Sequence, residues 1–380
     1  MANLLFISLM NSAAWGGSEE IWLQTAKYAL QDNNKVTCLV YNWEEKKKKL
    51  NELLNIGAII IFIPNKGRKK KHFFEKLYYE WITKLQQYYF INRFSFSNYD
   101  TVIVNQGGFT DVTSGAWKNV YKKLPHYVLT FHNYDILYKF KEKKRINLIN
   151  WIEKADTSFF ASQTMIGVLQ HQLNKTFNNA QVFLNPLTIA TSTTITPYPT
   201  LENNNWVMVM LAQLDVNRKA QDNLITALSN TYWHNKNFFV KLYGSGKDET
   251  YLQALISKYG LDEKVVLMGH TNKVEEVLNN AHLVLQITHK DAMPISVVEA
   301  MSKSRAVIVS NVGDMPLWIQ HNETGWVAKD ASAESIHSTL QHAWEHKTQW
   351  EQMGIKAFDF FCKKFSVKPE VAFYKSIVNI

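Results

Sequence analysis

PLTIATSTTITPYPTLENNN, Pro186 to Asn205, is the stretch on which the reading of the fold turns. It is rich in Thr, Pro and Asn and breaks a rhythm that is regular on both sides of it. Upstream, short β-rich runs recur as NLLFISL, KVTCLVY, GAIIIFI, TVIVN, YVLTF, DTSFFA and QVFL. Between several of them lie segments with helical spacing, such as SEEIWLQTAKYALQ and QTMIGVLQHQL. Downstream the rhythm restarts with WVMVMLAQL, FFVKLYG, KVVLMG, AHLVLQIT and RAVIVSNVG. Buried strands alternating with helices predict βαβ units and a parallel sheet. The chain has 380 residues, too many for one ordinary core. An α/β fold of two Rossmann-like domains in series, joined by the Pro186–Asn205 linker, is therefore expected. Sites in such sheets open at the carboxyl ends of strands, here toward a cleft between the domains.

Composition narrows the function classes. Two cysteines, Cys38 and Cys362, stand at opposite ends and suggest neither a disulfide framework nor a zinc site. They point to a reducing cytosol. MANLLFISLM lacks the basic flank of a signal peptide and reads as a first buried strand. The longest apolar run, Ile56 to Ile63, falls far short of the roughly 20 residues a spanning helix needs. The formal charge of +9 is uneven. Residues 1–200 carry 24 Lys/Arg against 14 Asp/Glu, whereas residues 201–380 carry 18 against 19. A basic first half implies a negatively charged partner: nucleic acid, a membrane surface or a phosphorylated substrate.

HKDAMPISVVEAM, His289 to Met301, poses the chemical question. Asp291 sits in a loop, Pro294 suits a first helical position, and Glu299 falls in the second turn. The free N–H groups of such a helix start, near Met293, Pro294 and Ile295, form an anion site. Carboxylates on either side make sense if they serve other parts of the same ligand. Taken alone, two unrelated surface acids on a capped helix would explain the spacing equally well. Near the amino end, LLFISLMNSAAWGGSEE gives a strand, a loop, and Gly16 and Gly17 opening a helix with Ser18 as candidate N-cap. A capped glycine turn is the plain alternative there. LYGSG, with Gly244 and Gly246, is followed by neither the residues of a P-loop nor a dinucleotide fingerprint. MLAQLDVNRKAQDNLITAL places Arg218 and Lys219 in a loop before a helix starting near Asp222, where a cation would neutralise a diphosphate; solvated loop charges are the commoner outcome. His132 ends the strand of YVLTFHNYD, at a carboxyl end.

Together these pieces resemble the family 4 glycosyltransferases, retaining enzymes of the GT-B fold. The resemblance is strongest from Val207 to about Val327. It matches the family's glycine pair with Gly16–Gly17, its strand-end histidine with His132, and its phosphate-binding lysine with Lys219. DAMPISVVEAM matches the hallmark of two acids with seven residues between them. Three positions depart from the pattern: Asp291 stands for Glu, Gln213 for the arginine usually paired with the lysine, and Ala220 for glycine. Arg218 is the nearest substitute cation.

The resemblance implies a transfer of sugar from a nucleotide-sugar donor, a UDP- or GDP-sugar, to a hydroxyl of a glycan or lipid-linked acceptor, in cell-surface polysaccharide synthesis. It assigns catalysis to His132, Asp291 and Lys219, and donor binding to Gly16, Gly17, Arg218, Lys219, Met293, Pro294, Ile295 and Glu299. No metal and no cofactor are implied, and nucleic acid is not the expected partner. The diphosphate would lie on the helix start, the ribose toward Glu299, about 7.5 Å along the helix axis from Pro294, and the sugar toward Asp291. The expected domains are an acceptor domain, 1–190, with 357–380 packing back on it, and a donor domain, 205–356. The alternatives are a sugar-nucleotide epimerase of the same fold, or a catalytically weak subunit that binds nucleotide sugar. Gln213 and Asp291 favour the last.

Residues 66–94 stand apart. Lys66, Arg68, Lys69, Lys70 and Lys71 precede a helix-like segment carrying Phe73, Phe74, Tyr78, Tyr79, Trp81, Tyr88, Tyr89 and Phe90. Cations beside aromatics describe a segment that rests on an anionic membrane surface. A core helix with a solvated charged approach is the alternative. The expected location is cytoplasmic, with peripheral docking on the inner face of the cell membrane.

Overall fold

A computed structural model describes residues 1–11, 15–64, 73–191 and 193–378; for residues 45 and 73–77 only the backbone is considered. The five cations expected to lead into the aromatic helix, and Phe73 and Phe74 as side chains, lie outside the described residues. The chain divides into two compact units, Met1–Pro186 with Val367–Ile380, and Leu187–Ser366.

The first unit is built on a seven-stranded, wholly parallel sheet. Its strands are β1 (Asn3–Ser8), β2 (Lys35–Tyr41), β3 (Ile59–Ile63), β4 (Thr101–Asn105), β5 (Tyr127–Phe131), β6 (Thr157–Phe160) and β7 (Ala180–Val182). They lie in the order β3-β2-β1-β4-β5-β6-β7. All seven β-rich runs of the first half become these strands. Central strands are apolar on both faces because helices cover both sides of a parallel sheet; β4 and β5 are buried along their whole length. At the edge, β3 leaves Ile59 and Phe62 exposed. Helix Gly17–Gln31 buries Ile21, Trp22, Leu23, Ala26 and Ala29. Helix Pro369–Val378 packs on it, with the Tyr28 and Tyr374 rings 5.1 Å apart and Phe373 4.9 Å from Phe159.

The second unit has a six-stranded parallel sheet of β8 (Trp206–Leu211), β9 (Phe238–Tyr243), β10 (Val265–Gly269), β11 (Leu283–Gln286), β12 (Val307–Ser310) and β13 (Gly325–Ala328). Their order is β10-β9-β8-β11-β12-β13. The periodic pattern of the sequence accounts for the first five but not for β13, a four-residue edge strand too short to show a period. Trp206, Trp233, Trp344 and Trp350 pack with Phe238 on one side of this sheet.

Two boundaries differ from those expected. Residues 187–205 belong to the second unit rather than forming a free linker, because buried groups of that unit hold them. The guanidinium of Arg305, fully buried, donates to the carbonyl of Pro197 at 2.8 Å and to those of Leu278 and Asn279 at 2.9 Å. Burial pulls its pKa down to about 10. The return to the first unit comes later than 357, at Val367. Helix Trp350–Lys364 stays behind because Gly354 sits against the Ser304 backbone, where a Cβ would come within 2.1 Å of a carbonyl oxygen.

In both sheets strand order reverses beside the first strand, between β1 and β4 and between β8 and β11. At such a switch point the loops leaving the two carboxyl ends diverge and open a crevice.

Candidate functional site

In the second unit the switch point lies between the loops that follow β8 and β11. After β8 the chain makes a one-turn helix, Val216–Lys219, and then helix Gln221–Leu228. Arg218 and Lys219 are therefore helical, not in a loop, and the next helix starts at Gln221. Ala220 joins the two helices in the left-handed conformation, at φ 46° and ψ 33°, and is wholly buried. An L side chain in that region costs roughly 1–2 kcal/mol, a cost that glycine would avoid. The turn aims Lys219 at the loop that follows β11. Its Nζ donates to Asp291 Oδ2 at 2.6 Å, in the loop after β11. Gln286 Nε2, at the end of β11, donates to the same oxygen at 3.3 Å. The two loops are also stitched by backbone: His289 N–H donates to the Arg218 carbonyl at 2.8 Å, and the Thr288 hydroxyl donates to it too. The Arg218 side chain is exposed and forms no ion pair among the described residues. From the other side, Gly313, at φ 58°, passes so close to Asp291 that a Cβ would lie 2.6 Å from its carbonyl oxygen.

Helix Ile295–Ser302 begins one residue later than read from the sequence. Pro294 is its N-cap rather than its first residue, and the Ile295 N–H donates to the Met293 carbonyl at 3.0 Å. Met293 is buried. The first-turn N–H of Ser296 has no carbonyl of its own helix to bond. Glu299 is buried on this helix and holds Thr188: its Oε1 accepts from the Thr188 N–H at 2.8 Å and from the hydroxyl at 2.5 Å. Burial raises its pKa, and the Thr188 bonds act in the opposite sense.

A cavity of about 390 Å³ opens at the carboxyl ends of β8, β9 and β10, lined by Gln213, Gly244, Ser245 and His270 among others. The weak glycine pair of the sequence has a structural cause here. A Cβ on Gly244 would meet the Ala212 carbonyl oxygen at 1.9 Å, and one on Gly246 that of Leu214 at 2.1 Å. The glycines let two loops touch beside the cavity.

In the first unit, Gly16 and Gly17 open the helix that follows β1. Gly16, not Ser18, is the N-cap of helix Gly17–Gln31, in an extended conformation with no side-chain cap. Its missing Cβ leaves room for the Met10 side chain. The first turn carries Glu19 and Glu20, paired with Lys46 and Lys49 respectively. His132 directly follows β5. Its Nε2 lies 2.7 Å from Asn105 Oδ1, and its Nδ1 is shut off from solvent with no hydrogen-bond partner. Burial pushes its pKa down to about 3, so the ring is neutral at physiological pH. Asn105 and Glu19 connect His132 to the helix opened by Gly16, a link the sequence carried no signal for.

The structure thus joins Lys219 to Asp291 and turns Glu299 to Thr188. It links Gly16's helix to His132 through Glu19 and Asn105. Thr188, Thr288 and Gly313 carry no signal in the sequence because each acts through a partner distant along the chain, and Gln286 because nothing in a buried strand end marks its bond to Asp291.

Residues 193–359 match the protein family described as Glycosyl transferases group 1. The N-acetyl-alpha-D-glucosaminyl L-malate synthase of Bacillus anthracis is 23% identical over 136 residues, covering 36% of this chain and 36% of that protein. A trehalose synthase of Pyrococcus horikoshii is 27% identical over 134 residues, covering 34% of this chain and 32% of that protein. These matches span about a third of the length of each relative. The crystal structure of Anabaena HepE with UDP and glucose superposes with a TM-score of 0.72 at 16% identity, covering 100% of this chain and 99% of that one. The second unit accordingly carries a match to glycosyl transferases group 1 over nearly its whole length, and the two parallel α/β units have the fold of the GT-B glycosyltransferases.

Proposed function

We propose that the chain is a retaining glycosyltransferase of family 4 type. It moves a sugar from a UDP- or GDP-sugar to a hydroxyl of a glycan or lipid-linked acceptor in cell-surface polysaccharide synthesis. One observation carries the reading: the Lys219–Asp291 pair, 2.6 Å apart at the switch point of a sheet whose unit matches glycosyl transferases group 1. A cation and a carboxylate held together there suit a ligand with both an anion and hydroxyls. When the anomeric bond breaks, charge grows on the leaving diphosphate. Lys219, Arg218 and the start of helix Ile295–Ser302 would meet it with fixed positive charge and N–H dipoles. Asp291 would take a sugar hydroxyl and Glu299 a ribose hydroxyl. His132 would position the sugar rather than form a covalent bond to it. The reaction as read needs no metal, so transfer continues in excess chelator.

The lipid-facing part of the proposal rests on helix Phe73–Arg93. Tyr78, Trp81, Leu85, Tyr88 and Tyr89 fall on one arc of its outward side, and Trp81 and Tyr88 are each 61% exposed. Trp and Tyr are the side chains that favour the headgroup level of a bilayer. Among the described residues no helix is long and apolar enough to cross a membrane, so contact through this helix would be peripheral.

The test incubates the protein with a panel of UDP- and GDP-sugars, with and without mixed glycan and lipid-linked acceptors, and follows nucleoside diphosphate. Release that depends on acceptor, with the anomeric configuration of the donor kept in the product, is expected. Conversion of the sugar nucleotide without acceptor would replace the reading with epimerisation, and no turnover of any donor would leave a nucleotide-sugar-binding subunit.

A further inference from the structure

The first unit buries a charged pair that the proposed reaction does not use. Glu19 and Lys46 are both fully buried, 2.7 Å apart, in the core side of helix Gly17–Gln31. Taking two charges out of water costs several kcal/mol per ion, and the pair is rarely a net source of stability. What it achieves is orientation. Lys46 has only protons to offer, so Glu19 is held as an acceptor of hydrogen bonds. Ser8 donates to both its oxygens at 2.8 and 2.9 Å.

Each following group is then oriented by the one before. Asn105 presents Nδ2 to Glu19 Oε1 at 3.2 Å, because a carboxylate can only accept. Its Oδ1 is thereby turned the other way, where it accepts from the Thr130 hydroxyl at 2.7 Å. The second lone pair of that oxygen faces His132 Nε2 at 2.7 Å. An amide oxygen cannot donate, so the proton of the neutral imidazole must be on Nε2. Nδ1 is then bare, and it is the ring nitrogen with no partner. The Phe183 ring stands edge-on to the imidazole, with ring centroids 5.1 Å apart.

We propose that Lys46, Glu19 and Asn105 are positioning residues: in sequence they fix the His132 proton on Nε2 and keep Nδ1 as a hydrogen-bond acceptor for a hydroxyl of the bound sugar. The relay accounts for a buried ion pair, a buried asparagine and a one-sided histidine with a single cause. Its use in binding rests on the function proposed above; its effect on the proton of His132 does not.

The two are tested apart. In the full-length protein with 15N-labelled imidazoles, the His132 signals are identified by their loss in His132→Gln. Wild type is expected to show only the Nε2–H neutral form through physiological pH. In Glu19→Gln the new amide can offer either its oxygen or its nitrogen, Asn105 is free to turn over, and a measurable Nδ1–H population appears. Asn105→Ala leaves the Glu19–Lys46 pair intact and gives the same reading should Glu19→Gln fail to fold. An Nδ1–H form in wild type, or a wild-type proton position in both variants, overturns the relay. If the proton moves while transfer stays at the wild-type rate, the relay stands and His132 leaves the proposed reaction.

Discussion

Lys219 Nζ and Asp291 Oδ2 are 2.6 Å apart, so two residues read from sequence as serving neighbouring parts of a ligand, its diphosphate and its sugar, form one ion pair. Both are partly exposed, at 13% and 16% of the side chain, so the pair is open to a competing anion. A diphosphate would share or displace Asp291 on Lys219. Asp291→Asn removes that competitor. It is expected to leave binding of free UDP or GDP unchanged or tighter, by calorimetry, while transfer falls. Lys219→Ala is expected to lose both, with transfer down about a hundredfold, or about 3 kcal/mol. Equal losses of binding and transfer in Asp291→Asn would place Asp291 on the diphosphate and not on the sugar.

Glu299 separates stability from activity. Burial raises its folded pKa above the ordinary 4.5, so the folded state takes up a proton before the unfolded state does. The sign follows: wild type loses stability as pH rises from about 4.5 through the raised value, and carries the full penalty above it. Glu299→Gln keeps an acceptor for Thr188 and removes the charge. Its melting temperature should equal or exceed that of wild type at pH 7.5, with the advantage shrinking toward pH 4.5 in parallel melts. Transfer should fall at every pH if Glu299 binds a ribose hydroxyl as proposed, and unchanged transfer would remove it from the donor site.

Ala220 tests the turn that aims Lys219. Ala220→Gly relieves the left-handed strain but frees the unfolded chain and removes a buried methyl, so the terms nearly cancel and stability should move by less than about 1 kcal/mol. Ala220→Val adds a β-branched side chain at φ 46° inside a full core and should cost more than about 2 kcal/mol in urea denaturation. A harmless valine would mean that the turn is not held as described.

Membrane docking makes two demands. At about 1 kcal/mol per cation near an anionic surface, Lys66, Arg68, Lys69, Lys70 and Lys71 would supply up to roughly 5 kcal/mol, less under salt screening. Co-sedimentation with anionic but not neutral liposomes at low salt is expected, and Lys69→Glu, Lys70→Glu and Lys71→Glu together should abolish it. Trp81→Ser with Tyr88→Ser should weaken it while leaving nucleotide binding intact. Wild type that ignores anionic liposomes at low salt would make the aromatic face a contact for protein, and a soluble acceptor the better reading.

What the sequence determined by itself is local and periodic. Short apolar runs rich in β-branched and aromatic residues, such as TVIVN and YVLTF, read as central strands of a covered sheet, and the broken rhythm at Pro186–Asn205 separates two such sheets. Lys219, Asp291 and His132 stand out because each lies in the stretch after a strand, and Glu299 because it falls in the second turn of a helix, and these are properties of neighbours along the chain. Which of them meet was decided by strand order, and a period of two or 3.6 residues carries no information about order. Lys219 reaches Asp291 across 72 residues only because β8 lies beside β11. Glu19 reaches Asn105 across 86 because β1 lies beside β4. Thr188 meets Glu299 across 111, which drew the supposed linker into the second unit. The left-handed turn at Ala220 was equally hidden: a backbone angle that glycine would have announced is imposed there on alanine by the packing around it.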